Sequence, residues 1–354
     1  MVKQKQQHLS TSPNKSLLRL SATPQGDKRE FFSTMLRITT LLSLTLVSPS
    51  HAQTTESFPN RAIKMVVPFG PGSGTDTVAR VVAQQMQTYL GQPVTVENRA
   101  GANGFIGAEA VARSAPDGYT VFVTSASIHS LNPSLFKNLP YDTDRDFAHV
   151  GGIMEAYYTL LVGEALPVNS VQDLIAWLKA NPGSASYGWG ATVGQIAGAT
   201  FLKQTNTNAT GVPYKSSPQA VTDLIGGQIK FMFNDVTTSK AHLGKQRLKA
   251  LAVTSPDRIV GLEDIPTMAQ AGVADFEMTT WVGMLVPKNT PPANINILSA
   301  ALLKAVALPE VAAKMQACCS ARMLVKTPEA FAQFMRDDQK RWAKKISEAG
   351  VNPE

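Results

Sequence analysis

The chain has 354 residues, of which 44% are hydrophobic and 17% charged, and its formal net charge is +7. Residues 1–52 hold seven Lys or Arg and two Asp or Glu, a net of +5, so the rest of the chain carries only +2. A nucleic-acid face needs clustered Lys and Arg with interleaved aromatic residues, and no such cluster occurs, so nucleic acid is excluded as a partner.

The N-terminal segment has the pattern of an export signal. Arg37 precedes an apolar run over 38–47, and the small-x-Ala pattern of a cleavage site ends at Ala52. The run is shorter than the roughly 20 residues of a membrane span. We therefore expect cleavage after Ala52 and a periplasmic mature protein. Translation starts either at Met1, with an extended leader, or at Met35.

The first predicted element of the mature chain is a strand over 63–68, followed by a glycine-rich turn and a helix over 77–89. Three glycines within five residues can turn the backbone sharply and point N–H groups at an anion, which the helix N-terminus also favours. The last glycine is not followed by Lys, so the turn is not a nucleotide-hydrolase phosphate loop. We expect a small carboxylate to contact Phe69, Gly70, Gly72, Ser73, Gly74 and Thr75.

Asp76 opens the helix and is also a candidate ligand residue. It is interpreted first as a helix cap or as a partner of Arg80 at i+4. A carboxylate there would repel an anion, so its alternative role is to bind an amino or hydroxyl group of the ligand.

The first half of the chain predicts an open α/β unit. Strands at 63–68, 94–97 and 120–124 alternate with helices at 77–89 and 105–113, which implies right-handed crossovers and a parallel sheet. The third strand ends at three further candidate ligand residues, Ser125, Ala126 and Ser127. His129 follows them, but no acid or nucleophile elbow accompanies it, so we predict no catalysis there.

A second strand, glycine turn and helix appear after Val150. Further predicted strands cover 158–162, 186–187, 229–233, 250–253 and 281–287, and further helices cover 171–180, 195–204, 218–226, 295–307, 309–317 and 328–349. In this half the candidate ligand residues are Tyr187, Trp189, Thr192, Gly194, Gln195, Tyr214, Asn234 and Asp235.

No Ser/Gly-rich linker separates the two units, so the chain is expected to cross between them through strands near 155 and 282. The predicted fold is α/β, a two-lobed periplasmic binding protein of type II-like form, in which each lobe is a sheet flanked by helices. Lobe 1 comprises 53–155 plus 282–354, lobe 2 comprises 156–281, and ligands favour the cleft between them.

The two cysteines, Cys318 and Cys319, are neighbours on a stretch with helical spacing. An oxidising compartment could join them, but a disulfide between adjacent residues is strained. We interpret them as two small apolar residues that pack a helix. No spacing typical of a metal site occurs, and no cofactor is expected.

A series of short motifs resembles the periplasmic substrate-binding proteins of tripartite tricarboxylate transporters, the Bug-type receptors, over essentially the whole mature length. The matching pieces are Pro68-Phe69, Pro71-Gly72, 76–80, 97–101, 115–120, Asn132-Pro133, 139–142, 212–215, 223–228, 248–255, 265–267 and Ala271-Gly272. The resemblance implies a receptor that closes on a small carboxylate and delivers it to an integral membrane permease. It implies binding and not chemistry, and we expect a monomer.

The chain departs from the family pattern in both turns. Gln195 stands where the family usually has a His, Trp189 intrudes in the second turn, and Ser73 replaces a common Gly. Gln cannot become charged, so the ligand could differ from a simple tricarboxylate. The carboxylate is not identified by the sequence, although Trp189 and Phe69 favour an apolar or aromatic body.

Two other classes of function compete with the receptor. A nucleotide-cofactor oxidoreductase is suggested by Glu97, about 20 residues past the glycines, but the fingerprint lacks its third Gly and export removes the cofactor pool. An exported sensory or interaction module could reuse the receptor fold without a permease.

Overall fold

The computed structural model describes residues 57–243 and 247–354. The predicted signal peptide, both candidate start sites and the cleavage site after Ala52 lie outside the described residues.

Ten strands form one hydrogen-bonded sheet among the described residues. They are β1 (Ile63–Val67), β2 (Val94–Asn98), β3 (Thr120–Ser125), β4 (Phe147–Gly163), β5 (Ser186–Trp189), β6 (Thr210–Pro213), β7 (Phe231–Asp235), β8 (Leu248–Val253), β9 (Thr279–Pro287) and β10 (Arg322–Lys326).

The helices cover the sheet. They are α1 (Gly74–Leu90), α2 (Phe105–Ala112), α3 (Asn132–Leu135), α4 (Val171–Ala180), α5 (Thr192–Thr205), α6 (Ser217–Ile225), α7 (Val236–Lys240), α8 (Pro292–Val306), α9 (Pro309–Cys319) and α10 (Pro328–Ala349). A short 3₁₀ turn at Ala102–Gly104 and a π-helical turn at Ser127–Leu131 complete the described elements.

The strand order is β2-β1-β3-β9-β4-β7-β5-β6, with β8 and β10 also paired to β4. The pairs β1–β2 and β1–β3 are parallel, so the parallel sheet predicted for the first unit is confirmed. The strand β9, however, runs antiparallel to both β3 and β4, so the complete sheet is mixed.

The long strand β4 connects the two halves of the sheet. Its residues 147–157 pair with β9, whereas its residues 158–163 pair with β7 and β8. The change of partners falls next to the boundary predicted near 155, and the exact limits of the two lobes stay a prediction. The sequence indicated only 158–162 as a strand, because Gly151-Gly152 and the polar His149 and Glu155 obscure the apolar pattern of the first half.

Local signals explain where the main helices begin. Ser73, Ser170 and Thr327 are extended N-cap residues whose side chains each accept a backbone N–H three residues ahead. The longest helices then bury one apolar face, as α10 does with Phe331 and Trp342. Among the described residues, no single helix is both long and apolar enough to cross a membrane; α8 and α9 meet that criterion only as a pair bent by 71°.

The cysteine pair differs from the interpretation as two free thiols, because Cys318 and Cys319 are joined by a disulfide. The packing part of the interpretation agrees with the structure, since Cys319 is fully buried at the end of α9. The next residue, Ser320, adopts a left-handed conformation and ends the helix.

Candidate functional site

The glycine turn between β1 and α1 presents free backbone N–H groups. Gly72 has φ +79°, a conformation that favours glycine, and Ser73 Oγ accepts the Asp76 N–H at 3.3 Å. Gly74 and Thr75 supply the first two N–H groups of α1, and neither has an acceptor in the described part of the chain. These groups, with the positive end of the helix dipole, can bind an anion.

Asp76 fixes the turn and does not line the cavity next to it. Its carboxylate accepts the Gly72 N–H at 2.9 Å, Arg80 Nε at 3.1 Å and Asn98 Nδ2 at 2.8 Å. Burial alone would raise the pKa of Asp76, but these hydrogen bonds and the Arg80 charge outweigh it and hold the pKa below its usual value. Asn98 also donates to the Phe69 carbonyl at 2.9 Å, so the turn is held from both sides.

A small cavity of about 30 Å³ lies beside this turn. One wall comes from the turn and the central strands β3, β4 and β9: Phe69, Ser73, Gly74, Thr75, Ser125, Met154, Ala156, Tyr158, Thr280 and Val282. The other wall comes from loops and helix starts of the second half: Ala191, Ser217, Asp235 and Thr237.

Asp235 and Thr237 bring unusual polarity to the second wall. Asp235 caps α7 by accepting the Thr238 N–H at 2.8 Å, and it also accepts Thr238 Oγ1 at 3.0 Å. Burial raises the pKa of Asp235 in spite of these bonds. Thr237 Oγ1 is buried and has no hydrogen-bond partner in the described structure, so it is available to a ligand.

Six of the predicted ligand residues line the cavity: Phe69, Ser73, Gly74, Thr75, Ser125 and Asp235. Of the rest, Gly70 and Gly72 shape the turn without lining the cavity, as Asp76 does. Gly70 packs against Ser216, since a Cβ there would lie 2.8 Å from Ser216 Oγ.

The second glycine turn does not reach the cavity beyond Ala191. At the start of α5, Thr192 Oγ1 donates to the Ser127 carbonyl at 3.3 Å, and Ser127 Oγ accepts the Val193 N–H at 3.5 Å. The predicted residues Ser127 and Thr192 therefore bind each other, and Ala126, Gly194 and Gln195 do not line this cavity. The N-terminus of α5 thus contacts the π-helical turn.

The remaining predicted residues serve the interior of the second half. Tyr187 and Trp189 pack with ring centroids 5.3 Å apart, and Tyr187 stacks on Phe231 at 5.5 Å. Tyr214 donates its hydroxyl to Asp223 at 2.7 Å. Asn234 is buried, and its Nδ2 donates to Ser239 Oγ at 3.3 Å.

Sequence reasoning missed eight of the cavity residues: Met154, Ala156, Tyr158, Ala191, Ser217, Thr237, Thr280 and Val282. Several lie inside predicted elements, such as the strand that contains Val282. Their place in the sheet was therefore predicted, but not the direction in which their side chains point. Ser217 and Thr237 stand at helix starts, which is the one pattern that could have pointed to them.

The described residues show no catalytic arrangement around His129. Its ring is buried among Phe122, Phe147 and Trp281, and neither ring nitrogen has a hydrogen-bond partner there. Burial, helped by the charge of His149, lowers the pKa of His129 to about 3. Within the same described ranges, no group of three His, Cys, Asp or Glu residues could hold a metal ion.

The family model for the tripartite tricarboxylate transporter family receptor matches residues 78–351. The chain belongs to this receptor family. It is 36% identical to the protein BugT of Bordetella pertussis over 299 residues, which are 84% of this chain and 91% of BugT. The resemblance to Bug-type receptors is therefore confirmed.

Solved structures of similar receptors have the same fold. The periplasmic binding protein BugD is 33% identical, with a TM-score of 0.79 over 84% of this receptor and all of BugD. Rpa4515 of R. palustris, solved with adipate, is 30% identical, with a TM-score of 0.81 over 84% of this receptor and all of Rpa4515. The predicted α/β fold of the two-lobed periplasmic binding-protein type is confirmed. Family membership also makes this chain a periplasmic solute receptor of a membrane transport system.

Proposed function

We propose that this receptor binds a small carboxylate in the cavity between the glycine turn and the β7–α7 corner. The observation that carries the proposal is the pair of unoccupied N–H groups of Gly74 and Thr75, which open on that cavity from the N-terminus of a 17-residue helix. The adipate bound to Rpa4515 supports a carboxylate as the class of ligand.

The contact residues that we propose are those predicted residues that line the cavity, together with Thr237 and Ser217 from the opposite wall. Hydroxyl and amide donors replace the basic side chains that many anion sites use. A hydrogen bond from such a neutral donor to a charged carboxylate is worth about 1.5–3 kcal/mol, so several must act together.

A screen of carboxylates on the mature protein tests this proposal. A ligand present at a hundredfold excess over its Kd stabilises the folded state by about 2.7 kcal/mol, which thermal unfolding detects. Calorimetric titration then gives the affinity, and sulfate at equal ionic strength controls for non-specific anion effects. If no aliphatic, aromatic or amino carboxylate shifts the unfolding transition, the receptor does not bind this class of solute.

We propose further that the loaded receptor docks as a monomer on the permease subunits of the transporter and that it has no catalytic activity. The two lobes, 53–155 with 282–354 and 156–281, are proposed to close on the ligand. Small-angle scattering should show a more compact particle at saturating ligand, and an unchanged profile would argue against closure.

Export completes the proposal. The signal pattern that ends at Ala52 supports removal of residues 1–52, with Gln53 as the mature N-terminus. N-terminal sequencing of periplasmic material tests it, and an intact leader on exported protein would contradict it.

A further inference from the structure

Asp235 holds a carboxylate directly over the first turn of α1. A Cβ added to Gly74 would overlap Asp235 Oδ1 and would lie 3.0 Å from Asp235 Cγ and 3.4 Å from Thr237 Cβ. The acid therefore faces the same end of the cavity as the free N–H groups of Gly74 and Thr75. A donor for a carboxylate and an acceptor for a cation stand side by side.

The carboxylate of Asp235 has no positive partner at the cavity. No Lys, Arg or His occurs among the residues that line it, all of which are described. The basic residues of the two helices that start at the cavity bind elsewhere: Arg80 of α1 pairs with Asp76, and Lys240 Nζ of α7 donates to Ser320 Oγ at 3.1 Å. An uncompensated carboxylate in a confined site is costly, and a cationic ligand removes that cost.

The hydrogen bonds of Asp235 do not neutralise its charge. Thr238 contributes a backbone and a hydroxyl donor, the Ser217 side chain contributes a third, and the backbone N–H of Asp235 itself contributes a fourth. All four donors are neutral groups, so this carboxylate still lacks the positive charge that a cationic ligand would supply. The other titratable group that faces it is Tyr158, whose pKa burial raises well above its usual range, so Tyr158 stays neutral.

The geometry points to a zwitterion as the ligand. We propose that the receptor takes an α-amino carboxylate, whose carboxylate binds the N–H groups of Gly74 and Thr75 and whose ammonium group binds Asp235. This inference rests on the proposed carboxylate site and names its substrate class. The two charged groups of an α-amino acid are close together, as are the donors and the acid in the first turn of α1. The apolar residues Met154, Ala156 and Val282 would contact the rest of the ligand.

A plain dicarboxylate fits this arrangement less well. With one carboxylate on the α1 amides, a neighbouring anionic group would meet Asp235, and like charges at short range in a site of low dielectric repel strongly. Asp235 thus favours ligands that carry an α-amino group and disfavours carboxylates that lack one.

The test uses matched pairs of ligands that differ only in the α-amino group: L-glutamate and glutarate, L-aspartate and succinate, L-leucine and 4-methylpentanoate, and L-phenylalanine and 3-phenylpropanoate. Calorimetric titration compares the wild-type mature protein with Asp235→Asn, which keeps an N-cap oxygen for α7. Asp173→Asn is the matched control, because Asp173 also stands at a helix start and accepts a backbone N–H, that of Asn169, but is exposed and does not line the cavity. Circular dichroism confirms that each variant is folded.

We expect the wild type and Asp173→Asn to bind at least one amino member about tenfold or more tightly than its partner. Asp235→Asn should weaken that member about tenfold or more and should leave the partner unchanged or improved. Tighter wild-type binding of the plain carboxylate, with no effect of Asp235→Asn, would overturn the inference but leave the receptor function intact.

The pH dependence of ligand affinity distinguishes this mode of binding from a second one. If Asp235 were instead protonated and donated to a plain carboxylate, wild-type affinity for that carboxylate would rise as the pH falls, and Asp235→Asn would lose this dependence. That result would also overturn the inference. If no member of any pair binds, the proposed carboxylate function itself fails.

Discussion

Gly74→Ala is the substitution that most directly tests the location of the ligand. Gly74 is the first residue of α1 and its φ is not positive, so Ala suits its backbone and is a better helix former than Gly. The added methyl group would instead project into the cavity, where it overlaps Asp235 Oδ1 and approaches Asp235 Cγ and Thr237 Cβ. The substitution therefore introduces a steric clash in the closed site but does not destabilise the helix.

The magnitude follows from the contacts. Asp235 is held by four hydrogen bonds, so it cannot move away from the methyl group without losing some of them. Overpacking of this kind costs about 1–3 kcal/mol. If the closed arrangement is required for binding, the apparent affinity falls about 5- to 140-fold, since each 1.4 kcal/mol is a factor of ten.

The assay is calorimetric titration with a carboxylate that binds the wild type, and Gly226→Ala is the matched control. Gly226 has an ordinary φ of −75°, and a Cβ there meets only the Thr222 and Asp223 carbonyl oxygens at 3.5 and 3.8 Å, outside the cavity. Gly226→Ala should bind like the wild type. Wild-type affinity in folded Gly74→Ala would place the ligand elsewhere and refute the assignment of the α1 N-terminus.

Two further predictions concern stability. Burial lowers the pKa of His129 to about 3 in the folded protein and that of His149 to about 4, so between about pH 6.5 and these values the unfolded chain binds more protons. Urea denaturation should therefore show the free energy of unfolding decreasing as the pH falls, by at most about 1.4 kcal/mol per pH unit for each residue. His129→Phe should remove the contribution of His129 to this slope. An unaltered slope in a folded His129→Phe protein would contradict this assignment. Asp76→Ala leaves Arg80, Asn98 and the Gly72 N–H without their shared acceptor. Because Arg80 is half-exposed, we expect the free energy of unfolding to fall by about 2–3 kcal/mol in the same measurement. A decrease below about 0.5 kcal/mol would mean that water replaces these hydrogen bonds.

The sequence predicted most of the elements because their patterns are local. The helix predicted over 171–180 coincides with α4, since Ser170 caps its start and Asn181-Pro182-Gly183 ends it. The first half of β4 and the short strands β6 and β10 were missed. Each depends on partners far along the chain, as β10 does on residues 152–155 of β4, and no local pattern encodes such pairing.

The candidate site was only partly predictable for a related reason. The glycine turn is a local motif, and its residues Ser73, Gly74 and Thr75 line the cavity. The second glycine turn has the same local pattern, but the Val193 N–H at its helix N-terminus contacts Ser127 Oγ at 3.5 Å. Whether a helix N-terminus faces a ligand or another part of the protein depends on tertiary packing, which a single sequence does not show.

The two acids near the cavity illustrate how similar local signals lead to opposite roles. Asp76 has a basic residue one turn later, and the ion pair with Arg80 removes its charge from the site. Asp235 has only hydroxyl and amide donors, so its charge remains directed at the cavity. Both stand at helix starts in the structure, although the sequence predicted a helix only after Asp76, and an amino group of the ligand was considered only for Asp76. Asp76, whose charge is paired, holds the turn that accepts the carboxylate. Asp235, whose charge is unpaired, determines which carboxylate ligands bind. Because these functions belong to different residues, Asp235→Asn can alter selectivity while the anion site formed by α1 stays intact.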